Sequence, residues 1–425
     1  MNQRINASGV KKTHVIEGSM NMKIRLVLFA LITSQLILPL FTSDAFTQQT
    51  AQDRAERFRR MSLDAETKGL VEPFKGITTN GQVQPDLFAI RSTGVSTEPV
   101  RKAAANFLAA LTNEQRDKTV FPLDDPEWRK WMNQHFYVRQ GVSFKDMSDA
   151  QREAAFGLMR AALSAKGLKL TRDIMRLNHT LGELNKNFDE YGEWLYNITV
   201  MGQPAMKEPW GWQLDGHHAI INYFVLGDQV VMTPFFAGSE PVIATSGKYK
   251  GVSVLQDEQN SGLAMVSGLT DEQRKKAVLQ FSKTGNNNLT EAFKDNVVLD
   301  YAGVRASELS RAQQHRLLDL IALYVDNMDE GRAKVKMDEV RRHLDNTWFA
   351  WIGGTDSTSV FYYRVQSPVI LIEFDHQLPA NLRPAGAELR TPNRQHIHVV
   401  VRTPNGNDYG KDLLRQHYRQ HKHGG

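Results

Sequence analysis

Three short apolar runs carry histidine or carboxylate at their ends, and they constrain this chain more than anything else in it. His218-Ala-Ile-Ile-Asn-Tyr-Phe-Val225, Val369-Ile-Leu-Ile-Glu-Phe-Asp-His376 and His396-Ile-His-Val-Val-Val401 are too short for buried helices and are rich in β-branched and aromatic residues. They read as sheet strands. On a strand alternate residues share a face, so His396 and His398 point the same way, their ring bases about 6–7 Å apart. One metal ion with ligand bonds of about 2.0–2.2 Å can span that distance.

Glu373 and Asp375 likewise share a face of an otherwise Ile/Leu/Phe strand. A buried carboxylate is costly unless paired or bound to a cation. It therefore predicts either metal ligation or an arginine partner such as Arg364 or Arg402. His217 and His218 are consecutive, so a regular strand puts them on opposite faces. Asn222 keeps the His218 face polar, which makes His218 the better ligand candidate, with His217 a structural neighbour. Gly216 just before them can bend the backbone and upset this phase. His376 has the opposite phase to Glu373 and Asp375 and sits at its strand end, the weakest of these five histidines. The candidate metal ligands are thus His396, His398, His218, His217, Glu373, Asp375 and His376. Whichever of Glu373 and Asp375 does not bind the metal is a candidate general base; Glu240, in the turn Phe235-Phe-Ala-Gly-Ser-Glu-Pro241, is another candidate base, and Arg402 a candidate anion clamp. His417, His421 and His423 fall in a polar helical tail.

The chain has no cysteine. That excludes thiolate ligands, a cysteine nucleophile, iron–sulfur clusters and disulfides, and leaves any transition metal to His, Asp or Glu. Neither a P-loop nor a post-strand G-x-G-x-x-G is present, so those modes of nucleotide binding are not expected. Gly238-Ser239-Glu240-Pro241 departs from the strand–turn–helix serine elbow of hydrolases.

Met1–Asn21 reads as an upstream extension. Lys23 and Arg25 precede the apolar run Leu26–Phe41, and Ser43-Asp44-Ala45 supplies small residues for cleavage before Phe46. This pattern predicts a signal peptide within residues 1–45, a periplasmic or extracellular destination and no stable membrane anchor after processing. Arg4, Lys11, Lys12, Lys23 and Arg25 against Glu17 and Asp44 account for most of the net charge of +5. The processed chain would carry +2, with no basic block, so a nucleic-acid partner is not expected.

Four capping boxes recur: Thr112-Asn-Glu-Gln115, Ser148-Asp-Ala-Gln151, Thr270-Asp-Glu-Gln273 and Ser310-Arg-Ala-Gln313. In each, the hydroxyl accepts a first-turn N–H and the glutamine reaches back to the cap N–H. Each pair is followed by a tryptophan-bearing segment and then apolar strands. The expectation is an α+β fold of helical segments plus antiparallel sheets, with two related halves, 105–245 and 265–402, arising from internal duplication. Helices should dominate 100–185 and 270–345, and strands 194–245 and 347–402. The domains are then an N-terminal segment 46–100, one large domain 101–418 and a tail 419–425.

Trp210-Gly-Trp-Gln-Leu-Asp-Gly-His-His218, Pro234-Phe-Phe-Ala-Gly-Ser-Glu-Pro241, Tyr362-Tyr363-Arg364, Ile372-Glu-Phe-Asp375 and His396-Ile-His398 occur in order. They are followed by Arg402-Thr-Pro-Asn-Gly-Asn-Asp-Tyr-Gly410, Asp412-Leu-Leu and His417-Tyr418. Together they resemble the bacterial family catalogued as domain of unknown function 3500, from about Arg101 to Tyr418. The resemblance implies one continuous fold and brings no activity with it. The residue chemistry points to an exported metal-dependent enzyme with a divalent ion, zinc or iron, and an unknown small-molecule substrate. Hydrolysis is favoured over oxidation because it needs no reductant. A metal-dependent oxidoreductase and a non-catalytic metal or small-ligand binding protein are the alternatives.

Overall fold

The computed structural model describes residues 43–382 and 391–421, with side chains from residue 52. The expected signal segment, residues 22–41, lies outside the described residues, and the Ala45–Phe46 bond falls in the first turns of helix α1 (Ser43–Gly69). Residues 43–52 belong to one compact unit and 53–425 to another. Among the described residues no helix is long and apolar enough to cross a membrane.

The second unit opens its first half with α2 (Glu98–Ala110) and α3 (Asn113–Asp117), then the short strands β1 (Val120–Phe121) and β2 (Val142–Ser143). Helices α4 (Asp149–Ala162) and α5 (Ala165–Asn185) lead into β3 (Tyr196–Met201), β4 (Trp210–Gly216), β5 (Ala219–Leu226), β6 (Gln229–Val231) and β7 (Phe235–Ser239). The second half runs α6 (Gln256–Ser267), α7 (Asp271–Ala277), β8 (Val278–Gln280), β9 (Val304–Arg305), α8 (Arg311–Val325) and α9 (Glu330–Arg342). It closes with β10 (Trp348–Gly353), β11 (Phe361–Gln366), β12 (Leu371–His376) and β13 (Ile397–Arg402), and α10 (Lys411–Gln420) follows.

Among the described residues thirteen strands form one mixed sheet, with the path β1-β3-β4-β5-β7-β13-β12-β11-β10-β8. The fold is α+β, as the alternation of helical and strand patterns predicts. Two features go beyond that prediction. The strands make a single sheet, and β1 with β3 and β8 with β10 pair in parallel. Apart from β6, which pairs only with β5, the order of helices and strands in the first half is repeated in the second, and β2 lies antiparallel on β3 as β9 does on β10. The last strands of the two halves, β7 and β13, pair antiparallel in the middle of the sheet.

All four capping boxes form. Their glutamines also tie neighbouring elements together in the same way in each half. Gln115 donates to Asp146 O and Gln151 to Ala110 O, while Gln273 donates to Glu308 O and Gln313 to Gly268 O.

Strand alternation sorts side chains between two faces. Ile397, Val399 and Val401 of β13 join Phe235 and Ala237 of β7 in the large core that also holds Leu158 and Met159 of α4 and Leu317 and Ile321 of α8. The opposite face carries His398, Val400 and Arg402. There the cover is irregular chain and α10, with Trp128, Trp131, Tyr409 and Leu413 packed against Phe236 and Val400.

Candidate metal centre

His217 and His218 are the two-residue turn joining β4 to β5, since Gly216 pairs with Ala219. The phase argument for a regular strand therefore does not apply to them. His218 takes a left-handed backbone, φ 65°, and this turns its ring onto the loop-covered face. Strand β7 lies between β5 and β13, so Gly238 sits between His218 and His398. It pairs with His398, and its N–H donates to His218 O at 2.8 Å. A Cβ on Gly238 would stand 3.1 Å from Cδ2 of both rings and 2.7 Å from Ile397 O. Only glycine lets the two imidazoles approach across this strand.

His218, His396 and His398 are all buried, and they form a group that could hold a metal ion. His398 Nε2 lies 3.1 Å from His218 Nε2 and 3.0 Å from His396 Nε2. One nitrogen from each of the three lies within 4.8 Å of the others. Bonds of about 2.0–2.1 Å at tetrahedral or octahedral angles put neighbouring donors about 2.9–3.4 Å apart.

The far sides of the rings fix their tautomers. His398 Nδ1 is 2.7 Å from Glu291 Oε1, and His396 Nδ1 is 2.6 Å from Leu378 O. A carboxylate and a carbonyl only accept, so each Nδ1 carries the hydrogen, and in the neutral ring Nε2 is then a lone pair. Two lone pairs 3.0 Å apart repel, and a shared cation removes the repulsion. Carboxylate or carbonyl support behind a ligating imidazole is the usual outer arrangement of a metal site. Burial, and then the neighbouring imidazoles, push both His218 and His398 well below the ordinary histidine range. Both are therefore held in the neutral, metal-ligating form.

The other candidates lie around this centre in different roles. His217 stacks on His218 with ring centroids 4.0 Å apart, and its Nδ1 is 2.8 Å from Asn178 Oδ1. Glu240 is buried after β7, where it accepts the N–H groups of Ala380 and Asn381, and its Oε2 lies 3.9 Å from His396 Nδ1. It thus anchors the segment next to Leu378. His376 faces the helix side. Its Nδ1 accepts the Phe361 N–H at 2.9 Å and its Nε2 meets Gln259 Oε1 at 2.8 Å. Burial pushes its pKa down to about 3.

Glu373 and Asp375 share one face, as alternation predicts, and the register with β13 makes it the face of His398, yet both are turned to a neighbouring loop. Glu373 accepts the N–H groups of Leu289 and Thr290, each at 2.9 Å, together with the hydroxyls of Thr290 and Tyr362. Asp375 pairs with buried Lys283 at 2.6 Å and accepts the Asn287 N–H. Burial raises both carboxyls, Asp375 to about 7. Arg402 is fully buried; it pairs with Asp295 at 3.0 Å and Asp408 at 3.2 Å, and it donates to the carbonyls of Thr290, Glu291 and Lys294. Its guanidinium is committed within the fold rather than held for a ligand. Burial works against its charge, but Asp408 and Asp295 outweigh that and raise its pKa.

These three residues together fasten the irregular segment 287–295, and that segment carries Glu291 to His398. Glu291 and Lys283 were not among the sequence candidates. Both lie in the stretch 281–303, which has no apolar periodicity to place it against a strand face.

The family model described as a protein of unknown function, DUF3500, matches residues 93–411. No curated protein and no solved structure matches the chain. The match spans the helices of both halves, β13 and all three histidines, and the chain belongs to the DUF3500 family.

Proposed function

We propose that this chain is an exported metal-dependent enzyme that holds one zinc or iron ion on His218, His396 and His398 and hydrolyses a small-molecule substrate. The observation that carries the reading is the convergence of three imidazole nitrogens, two of them turned into lone pairs by Glu291 and Leu378 O. Three protein donors leave a tetrahedral ion one further position, the pattern of catalytic rather than structural zinc. When bound, such an ion supplies Lewis-acid activation of water.

The chain's own residues set up the rest. His398 is oriented by Glu291, whose carboxylate stands behind the ring at Nδ1 and whose side chain is 25% exposed. Burial raises its pKa, which brings it toward the range useful to a general base. Export supports hydrolysis over oxidation, since an exported compartment offers no dedicated reductant.

Cobalt substitution tests the reading. The visible bands of a four- or five-coordinate ion that shift on adding a small anion are expected, with hydrolysis of ester, amide or phosphate panels by the metal-loaded protein and none by His398→Ala. A coordinatively closed ion without turnover would favour a binding protein. Oxygen-dependent turnover by the iron form would favour an oxidoreductase.

A further inference from the structure

A second cavity, of about 360 Å³, lies on the helix-bearing side of the sheet, and none of the three histidines lines it. Val401 and Thr403 place it at the end of β13 away from His396 and His398. Its volume falls within the roughly 300–1,000 Å³ of small-molecule sites. The apolar wall includes Met232, Phe235, Val325, Met328 and Ile370.

The polar wall carries Arg91, Arg332, Lys336 and Arg342 against Asp86, Asp228 and Glu339. Arg332 lines the cavity and is 6% exposed. Its two terminal nitrogens are used by Asp329 and Ser96 O, and its buried Nε has no acceptor among the described residues. Leaving such a donor unmade costs about 1–3 kcal/mol. Lys336 and His343 add further donors, with Arg91 and Arg342 at the rim. Of the lining carboxylates, Asp228 is occupied by Ser92, Thr93 and Gly94, and Glu339 by Lys336, while Asp86 is exposed.

We propose that this cavity binds an organic monocarboxylate with an apolar chain, its carboxylate accepting from Arg332 and its chain running along Met232, Phe235 and Met328. The unpaired buried Nε–H asks for an acceptor, the cationic rim selects an anion, and the apolar wall requires a hydrophobic body. This site is separate from the histidine centre, so it does not depend on the metal reading.

Isothermal titration of the full protein with sodium decanoate tests it, with 1-decanol as the uncharged probe. Saturable decanoate binding at one site per chain is expected, at least tenfold tighter than decanol. Met232→Trp, which fills the cavity, should abolish decanoate binding and leave the metal content unchanged. Arg332→Gln should reduce the preference for decanoate over decanol. If that variant does not fold, Lys336→Met reports the same loss of preference from a half-buried position. Absence of saturable decanoate binding, equal affinity for decanol, or undiminished binding by Met232→Trp would each overturn the proposal.

Discussion

His218 combines a strained backbone with a place in the three-histidine group that could hold a metal ion. A left-handed backbone costs a non-glycine residue about 1–3 kcal/mol, and such strain tends to persist where function holds it. His218→Gly relieves the strain, whereas His218→Ala keeps it, and both remove the imidazole. The metal-free Gly variant is expected to be more stable than the Ala variant by about 1 kcal/mol in chemical denaturation, with both losing tight metal binding. An Ala variant at least as stable as Gly would show that the turn carries no strain. Titration gives a second check at this scale. An imidazole must shed its proton to bind a metal, and burial lowers His218 and His398 from the ordinary value near 6.5. A lowered pKa keeps the neutral form present to lower pH. Zinc affinity, measured by chelator competition, should therefore stay flat from about pH 8 to about pH 6.5 and fall only below that. A decline beginning above pH 7 would mean that the ligands titrate as exposed histidines do.

At the scale of elements, the loop 287–295 connects the sequence reading to the structure. Alternation put Glu373 with Asp375 on one face of β12 and His398 with Arg402 on one face of β13, and that much is legible in the strand pattern; that the two faces coincide comes from the β12–β13 register. What the three charged groups bind was not legible, because their partners are backbone N–H and C=O groups and Lys283 in a stretch without periodicity. His218 was singled out, although through a strand phase that the two-residue turn replaces; the turn is signalled only by Gly216 before it. The helices were the most legible elements, since a capping box states its own start. A test follows from the fastening role. Glu373→Gln keeps the shape of the side chain but turns one accepting oxygen into a donor that faces either the Leu289 N–H or the Thr290 N–H. Faster amide hydrogen exchange across 287–291 is expected, with metal affinity about 10–100-fold weaker, as for other outer-shell changes. Unchanged exchange with full affinity would separate the loop from the centre.

For the whole molecule, the stretches 105–245 and 265–402 meet at β7 and β13, and the histidine group forms across that seam: His218 comes from the first stretch, His396 and His398 from the second. The repeated capping boxes were legible in the sequence. The meeting of the two stretches in one sheet was not, because nothing local in β7 or β13 states which strand it will pair with. The central claim is that this seam is a metal site, and elemental analysis of the untagged protein, purified without chelators, tests it most directly. The account predicts one zinc or iron per chain, lost in His398→Ala while the circular dichroism spectrum is retained. A folded wild-type protein that carries no transition metal and takes up none at micromolar concentration would contradict it.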